Sequence, residues 1–249
     1  MRYLVLTDIH ANLEALDACL ADAGARGYQR TLVLGDIVGY GPDPNKVIER
    51  VQALAPIDIV RGNHDKVACG LEQPEGFNLV ARSAALWTLG VLTTDHRDWL
   101  AGLPEGPILI DALIEICHGS PFDEDAYIFD ELDVHRAFKA SNRPLCLFGH
   151  THSPWVFEQL RNGDAANAIA LKHPGEMELI LRDGAKYLLN PGAVGQPRDG
   201  DARAAYAIVD TDRRCVELIR LEYPFEKTQA KIVEAGLPEV LAQRLGLGR

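Results

Sequence analysis

The first part of the chain alternates short apolar runs with segments whose apolar residues recur at helical spacing. The runs YLVLT, TLVLG and IDIV are predicted as buried β-strands, and the intervening segments ANLEALDACLADAGARG and DPNKVIERVQAL as helices. Asn12 and Asp43 stand where helix N-caps are expected, and Pro44 suits the first turn of the second helix. This β-α-β-α-β order predicts parallel strands joined by right-handed crossovers.

The remaining chain changes from helical to strand-like patterning. Helices are predicted around NLVARSAALWTLGVL, around DHRDWLAGL and over residues 128–140, with a hairpin in ILIDALIEICHGS and a buried strand at PLCLFGH. The final third is typical of antiparallel strands and hairpins, with a turn at Asp183-Gly184, and it ends in two short helices. Residues 161–176 are predicted as a mobile surface loop.

Polar clusters follow five of the predicted strands, in LVLTDIHAN, LVLGDIVGY, DIVRGNHDK, IEICHGS and CLFGHTHS. The carboxyl ends of parallel strands meet at one edge of a sheet, where ligands bind in open α/β proteins. If these strands share a sheet, eight side chains converge there: Asp8, His10, Asp36, Asn63, His64, His118, His150 and His152. Imidazole, carboxylate and amide groups together suit Mn, Fe or Zn better than Ca or Mg.

Each cluster taken alone has an ordinary structural interpretation. Asp8 could cap the first helix, Asp36 and Asn63 could belong to turns, and His118 could be a hydrogen-bonded core histidine. Five successive strand ends would each need an unrelated reason to carry metal-binding residue types. The five clusters together therefore predict a metal site.

Composition narrows the set of partners. The chain has 249 residues, of which 47% are hydrophobic and 24% charged, and its net charge is -11. We expect such an acidic protein to repel extended nucleic acid and anionic membranes, so a site for a small anion needs local positive charge such as bound cations. Five scattered cysteines without a C-x-x-C pair indicate reduced thiols, and no long apolar run is present. We therefore expect a cytoplasmic protein.

The motifs DIH, GDIVG, GNHD, HGS and GHTH, in this order, resemble the calcineurin-like metallophosphoesterase superfamily. They run from Asp8 to His152, and the later NPGAVGQPRDGDARAAYAIVD resembles a branch of small bacterial enzymes described as diadenosine tetraphosphatase-like. The resemblance implies an α/β fold, a four-layer α/β/β/α sandwich of two mixed sheets flanked by helices. We expect one such domain over residues 1–249, with a short helical extension at about 224–249.

The resemblance also implies a ligand set for two divalent cations per chain. Asp8, His10 and His152 would hold the first cation, Asn63, His118 and His150 the second, and Asp36 would bridge them. Mn is the expected metal, with Fe, Zn or Ni as alternatives. The charges of two cations, two aspartates and one bridging hydroxide sum to +1, so this centre would attract a phosphate anion. The hydroxide would be the nucleophile.

Further roles follow from the same resemblance. His64 would lie beside the substrate, where it would either bind the phosphoryl oxygens or protonate the leaving group, and Asp65 would orient it. Gln196 and Arg198 are candidate substrate contacts, although the loop that carries them could equally be a plain hairpin connection. Arg61 is expected to form surface ion pairs.

The expected activity is hydrolysis of a phosphoester by a phosphodiesterase or phosphatase acting on a small molecule or nucleotide. A dinucleoside polyphosphate hydrolase is an alternative, and a non-catalytic scaffold on the same fold is another, against which His64 argues. GDIVGYG lacks the second aspartate and the arginine of phosphoprotein phosphatases, so that activity is disfavoured. An amidohydrolase barrel is disfavoured as well, because its H-x-H pair belongs on the first strand. The physiological substrate and the oligomeric state stay open.

Overall fold

The computed structural model describes residues 1–160 and 177–249, so the loop predicted at 161–176 lies outside the described residues. The strands are β1 (Arg2–Leu6), β2 (Arg30–Val33), β3 (Ile57–Ile59), β4 (Ile108–Leu109), β5 (Ile114–Ile116), β6 (Leu145–Leu147), β7 (Pro154–Leu160), β8 (Met177–Ile180), β9 (Ala185–Pro191), β10 (Ala204–Asp210) and β11 (Cys215–Leu221). The α-helices are α1 (Leu13–Arg26), α2 (Pro44–Gln52), α3 (Asn63–Cys69), α4 (Leu79–Val91), α5 (Thr94–Ala101), α6 (Glu131–Ala140), α7 (Phe225–Glu234) and α8 (Glu239–Leu245).

The strands form two mixed sheets. The first has the order β3-β2-β1-β10-β11-β8, in which β1, β2 and β3 are parallel as predicted. The second has the order β4-β5-β6-β9-β7, with β5, β6 and β9 parallel. The five polar clusters therefore do not all follow strands of one sheet. Three follow the first sheet and two the second, and they meet because the two sheets are stacked face to face.

The strand alternation explains the stacking. In β1, Leu4 and Leu6 pack in a buried cluster with residues of α1 and α2, whereas Tyr3 and Val5 face the second sheet and pack with Ile114 and Leu147, among others. The opposite face of the second sheet packs against α6. The layers are therefore helix, sheet, sheet and helix, which confirms the predicted four-layer sandwich.

One predicted hairpin is absent from the described residues. The Asp183-Gly184 turn was expected to join two antiparallel neighbours, but β8 pairs with β11 in the first sheet and β9 pairs with β6 and β7 in the second. The turn therefore passes the chain from one sheet to the other. A period-two pattern predicts a strand and its buried face, but it carries no information about the partner strand.

Helix ends follow local capping chemistry. Asn12 Oδ1 accepts a hydrogen bond from Ala15 N–H, which confirms it as the N-cap of α1. Asp43 occupies the N-cap position of α2, but its carboxylate pairs with Lys46 and Lys231 instead of capping the helix. Helix α6 begins at Glu131 and not at residue 128, because the Asp130 side chain caps it there.

The two C-terminal helices, α7 and α8, lie within the predicted segment 224–249. Their buried residues, including Ile232, Leu241 and Leu245, pack with Tyr40 and with Ala84 of α4. Lys231 of α7 reaches Asp43 at 2.7 Å, and Thr228 donates to Asn12. These helices are therefore docked on the loops that follow β1 and β2. Among the described residues, the helices are all too short or too polar to cross a membrane.

Candidate metal centre and active-site cavity

The predicted ligands lie on loops with an unusual backbone. Asp8, His10, Asp36, His150 and His152 have φ angles of 51°, 49°, 52°, 66° and 55°, in the left-handed region that residues with a Cβ avoid. Each such residue costs on the order of 1 kcal/mol or more, and this strain concentrates at functional sites because the surrounding structure must enforce it. β6 ends at Leu147, so the His150 and His152 pair lies in a loop, as predicted.

The side chains form two groups that share one residue. Asp8, His10, Asp36 and His152 bring one ligand atom each within 4.8 Å of one another, and so do Asp36, His118 and His150. Asn63 joins the second group, since its Oδ1 lies 3.2 Å from His118 Nε2. The structure thus brings all seven predicted ligands together, and every histidine and aspartate among them is buried.

Backbone carbonyls fix the orientation of three imidazoles. His10 Nδ1 donates to Val38 O, His118 Nδ1 to Leu34 O at 2.7 Å, and His152 Nδ1 to Gln196 O at 2.6 Å. Because a carbonyl oxygen only accepts, each Nδ1 carries a proton and each Nε2 points into the cluster. Such a hydrogen bond from the other ring nitrogen is typical of metal-binding histidines.

The cluster contains polar atoms that a cation would satisfy. Burial lowers the pKa of His10 and of His152 well below the usual value, so both rings are neutral, yet their Nε2 atoms lie only 3.1 Å apart. With both Nδ1 atoms protonated, these are two facing lone pairs. Within the described residues, buried Asp36 Oδ2 and His150 Nε2 also have no hydrogen-bond partner. The residues present therefore fit a metal ion.

Asp36 and His118 each shift the pKa of the other. Burial raises the pKa of Asp36, but His118, His64 and His10 outweigh it and hold that pKa well below its usual value. Burial lowers the pKa of His118, but Asp36 outweighs it and raises that pKa to about 10. Without a cation, a proton on His118 therefore balances Asp36. A bound cation would take over that balance, because a metal displaces ligand protons.

The structure gives Asp65 a role different from the predicted one. Its Oδ1 accepts from the N–H groups of Ile37 and Val38, and its Oδ2 from that of Gly62. His64 Nδ1, by contrast, has no hydrogen-bond partner among the described residues, so the prediction that Asp65 orients His64 was wrong. Asp65 instead joins the loop after β2 to the start of α3, where His64 N–H donates to Asp36 Oδ1.

His64 lines a cavity of about 140 Å³ beside the metal-ligand cluster. Its ring packs against Tyr40 at 4.3 Å and Phe77 at 4.6 Å between ring centres. Burial lowers the pKa of His64 to about 4, so the ring is neutral at pH 7 and carries one N–H. A neutral ring can donate one hydrogen bond into the cavity.

The two candidate substrate contacts separate in the structure. Arg198 lines the cavity and donates to the Tyr40 hydroxyl at 3.3 Å. Gln196 is 2% exposed and lies outside this cavity, and its backbone carbonyl holds His152. Gln196 therefore orients a candidate metal ligand through its backbone, and the geometry gives no support to the prediction that its side chain touches substrate. Arg61 forms ion pairs with Glu105 and Glu124, as predicted.

Several residues of the site were missed. Asn190, fully buried at the end of β9, donates to Gly149 O and to Thr151 Oγ1 and so holds the loop that carries His150 and His152. Tyr127 stacks on His150 with ring centres 3.8 Å apart, and Arg244 of α8 lines the cavity. Asn190 lies in the NPG motif, which was a usable signal. Tyr127 and Arg244 reach the site only through tertiary packing.

Two stacked mixed sheets flanked by helices, with histidine and aspartate clusters able to bind a metal, define a metallophosphoesterase. The model of the calcineurin-like phosphoesterase superfamily domain matches residues 1–214. The chain belongs to this superfamily. Its members are metal-dependent, in agreement with the donor set described above.

Individual relatives cover the whole chain. An uncharacterized protein of Methanocaldococcus jannaschii, MJ0912, is 38% identical over 98% of this chain and 97% of its own length. The crystal structure of a metallophosphoesterase from Sphaerobacter thermophilus is 43% identical, with a TM-score of 0.87 over 100% of this chain and 99% of that one. The hypothetical protein PH1004 from Pyrococcus horikoshii OT3 shares the fold at 21% identity, with a TM-score of 0.79 over 100% and 98% of the two chains.

Proposed function

We propose that this chain hydrolyses the phosphoester bond of a small phosphorylated molecule or nucleotide at a centre of two divalent cations, with Mn²⁺ as the preferred metal. Each cation would have three ligands of its own and share the seventh: Asp8, His10 and His152 for the first, Asn63, His118 and His150 for the second, and Asp36 for both.

The position of one oxygen atom carries the proposal. Asp36 Oδ2 lies 3.4 Å from His10 Nε2 in the first group and 3.5 Å from His118 Nε2 in the second, and it has no hydrogen-bond partner within the described residues. A buried carboxylate oxygen between two sets of imidazole nitrogens is what a ligand shared by two cations requires. A single cation would leave one of the two sets without a role.

The chemistry follows from this donor set. When bound, the cations would activate a water molecule for in-line attack on phosphorus and neutralise charge on the phosphoryl oxygens. Asn63 is a neutral ligand, so the centre keeps its excess positive charge for an anionic substrate. The N–H of neutral His64 can donate to a phosphoryl oxygen. The rings of Tyr40 and Phe77 pack against the His64 ring and form an apolar wall beside that hydrogen bond.

The proposed setting is the cytoplasm. All five cysteines are free, and Cys117 Sγ and Cys146 Sγ lie 3.8 Å apart without forming a disulfide. Reduced thiols of this kind support a reducing compartment.

The test uses Mn²⁺-loaded protein with three substrates: bis-p-nitrophenyl phosphate, p-nitrophenyl phosphate and a dinucleoside tetraphosphate. We expect turnover of at least one of the three, and its identity assigns the protein to diesters, monoesters or anhydrides. His64→Ala should keep both metals by elemental analysis while kcat falls by about 100-fold or more. His135 is a half-buried residue of α6, and His135→Ala is the matched control. Its kcat and metal content should equal those of wild type.

Two outcomes would contradict the proposal. Absence of turnover with Mn²⁺, Fe²⁺, Zn²⁺ and Ni²⁺ on all three substrates would favour a scaffold over an enzyme. Loss of a metal ion in His64→Ala would mean that His64 is a ligand and that the ligand set has been misassigned.

A further inference from the structure

The cavity beside the metal-ligand cluster has a wall that comes from the end of the chain. Arg244, in the last turn of α8, lines it together with Asp36, His64 and Arg198. The superfamily model stops at residue 214, so Arg244 lies on a segment outside the matched domain.

Packing holds Arg244 in place from the opposite face of its helix. Leu241, Ala242 and Leu245 are buried and belong to the cluster that also contains Tyr40. Gln229 of α7 donates to Ala242 O at 2.8 Å. After α8, Gly248 O accepts from Gly200 N–H at 2.9 Å, which joins the C-terminus to the loop that carries Arg198. The two arginines are therefore fixed on neighbouring segments.

Within the described residues, neither arginine is neutralised by an ion pair. Across residues 1–160 and 177–249, no carboxylate forms an ion pair with the guanidinium of Arg198 or of Arg244, and buried Arg198 Nε has no hydrogen-bond partner. The Arg198 guanidinium lies 5.7 Å from the Tyr40 ring centre and donates to its hydroxyl at 3.3 Å, and Tyr40 packs in the same cluster as the buried residues of α8. Two uncompensated cations in a chain of net charge -11 are placed for an anion.

A count of charges indicates which anion. The charges at the proposed centre sum to +1, from two cations, the carboxylates of Asp8 and Asp36 and one hydroxide. The two arginines bring the total charge around the cavity to about +3. A phosphodiester carries one negative charge and a monoester two, so either would leave positive charge unbalanced. A substrate with a second anionic group would balance it.

We propose that Arg244, with Arg198, forms a subsite for a second anionic group of the substrate, either a phosphate or a carboxylate, next to the phosphoryl group at the metal centre. The inference rests on the proposed function, because the metal centre defines where the first phosphoryl group binds. Arg244 is then a specificity-determining residue supplied by the C-terminal helices.

The test measures binding of three analogues that share one skeleton and whose C–P bonds cannot be hydrolysed. They are propylphosphonate, 3-phosphonopropanoate and propane-1,3-bisphosphonate, titrated by calorimetry into Mn²⁺-loaded wild type, Arg244→Gln and Arg244→Lys. Arg249→Gln is the matched control, since it removes one positive charge from the same exposed terminus without touching the cavity.

We expect wild type to bind one or both of the analogues with two anionic groups more tightly than propylphosphonate, and the tighter of the two identifies a carboxylate or a phosphate. Arg244→Gln should weaken binding of that analogue by about tenfold, which is about 1.4 kcal/mol, and binding of propylphosphonate by less than about twofold. Arg244→Lys should restore part of the difference, and Arg249→Gln should behave as wild type. Equal binding of all three analogues by wild type, or an equal effect of Arg244→Gln on all three, would overturn the inference.

Failure of the proposed function is distinguishable from failure of this inference. The binding measurement needs no turnover, so an inactive protein that still prefers a second anionic group would contradict the activity alone. An active protein without that preference would contradict the subsite alone. A purely structural role of Arg244 at the helix C-terminus would lower the melting temperature of Arg244→Gln and leave the order of analogue affinities unchanged.

Discussion

Replacing Asn190 with alanine should weaken metal binding through a residue that touches no metal. Asn190 Nδ2 donates to Gly149 O at 2.7 Å and to Thr151 Oγ1 at 3.0 Å, and its Oδ1 accepts from Gly192 N–H at 2.8 Å. The first two bonds tie the end of β9 to the loop in which His150 and His152 have left-handed backbone, and the third fixes the Asn190 side chain on the turn that follows β9. Without the first two bonds, that strained loop loses two of the hydrogen bonds that hold it.

The magnitude follows from the groups left behind. In Asn190→Ala the N–H of Gly192 loses its partner in the protein interior, at about 1–3 kcal/mol. The carbonyl of Gly149 keeps the N–H of Thr151 at 2.7 Å and loses only its second hydrogen bond, at about 0.5–1.5 kcal/mol. The Thr151 hydroxyl keeps a contact with Ser153 O and adds little. A loss of about 3 kcal/mol in the free energy of unfolding corresponds to a fall in melting temperature of about 6–12 °C.

Two measurements separate the local effect from the global one. Thermal unfolding in chelator gives the stability loss, and Mn²⁺ titration of the hydrolysis rate gives the half-saturating metal concentration, which should rise by about tenfold in Asn190→Ala. Turnover at saturating Mn²⁺ should stay close to wild type, because all seven proposed ligands remain. The matched control is Asn45→Ala, which also removes bonds to two backbone groups, Val91 O and Thr93 N–H, away from the site.

Asn45→Ala should lower the melting temperature without changing the Mn²⁺ requirement. If Asn190→Ala and Asn45→Ala shift the melting temperature alike and neither changes the Mn²⁺ requirement, Asn190 serves only the fold. That result would refute the argument that it positions the histidine loop.

Three further variants test other parts of the site. Asp36→Asn should lose both metal ions in elemental analysis, whereas His118→Ala should keep one; retention of one ion by Asp36→Asn would exclude a shared ligand. Gly195→Ala would place a Cβ 1.8 Å from Ile9 O and should cost about 3 kcal/mol of stability or prevent folding. Gly24→Ala, with open space around it in helix α1, is the control and should be neutral or stabilising. Equal stability of the two variants would contradict the close approach of the Gly195 loop to the loop that follows β1. Burial raises the pKa of Glu124, but Arg61 and Lys66 outweigh it and lower that pKa, so its ion pairs stabilise the fold at neutral pH and are lost as pH falls below about 5. Denaturant unfolding of Glu124→Gln should therefore depend less on pH in the acid range than that of wild type or of the exposed control Glu75→Gln, and an unchanged slope would contradict this role.

The convergence of the seven candidate ligands could be predicted because a metal site needs particular residue types and strand ends bring them together. Asp8, Asp36, His118, His150 and His152 each follow an apolar run directly, so the local pattern gives both the strand and the polar cluster after it. The division of these strands between two sheets could not be predicted, because apolar runs buried on both faces look alike in either sheet.

Roles that depend on backbone contacts were beyond the sequence. Asp65 accepts from three backbone N–H groups, which every residue type except proline offers, and Gln196 holds His152 through a backbone carbonyl, which every residue type offers. Helix α3 was missed as well. It has seven residues and begins directly within the metal-binding motif, at Asn63, where the pattern suggested only a turn.

Arg244 illustrates a different limit. It stands 92 residues after His152 on the polar face of a short helix, where an arginine is ordinary. Only the docking of α8 against Tyr40 turns it toward the cavity. Its prediction would have required the tertiary packing of α7 and α8, which the hydrophobic pattern of these helices does not specify.

Anomalous diffraction from crystals grown with Mn²⁺ tests the central claim most directly. The account predicts two peaks, one among Asp8, His10 and His152 and the other among Asn63, His118 and His150, with Asp36 bound to both. A single peak, or two peaks of which only one contacts Asp36, would contradict the centre of two cations.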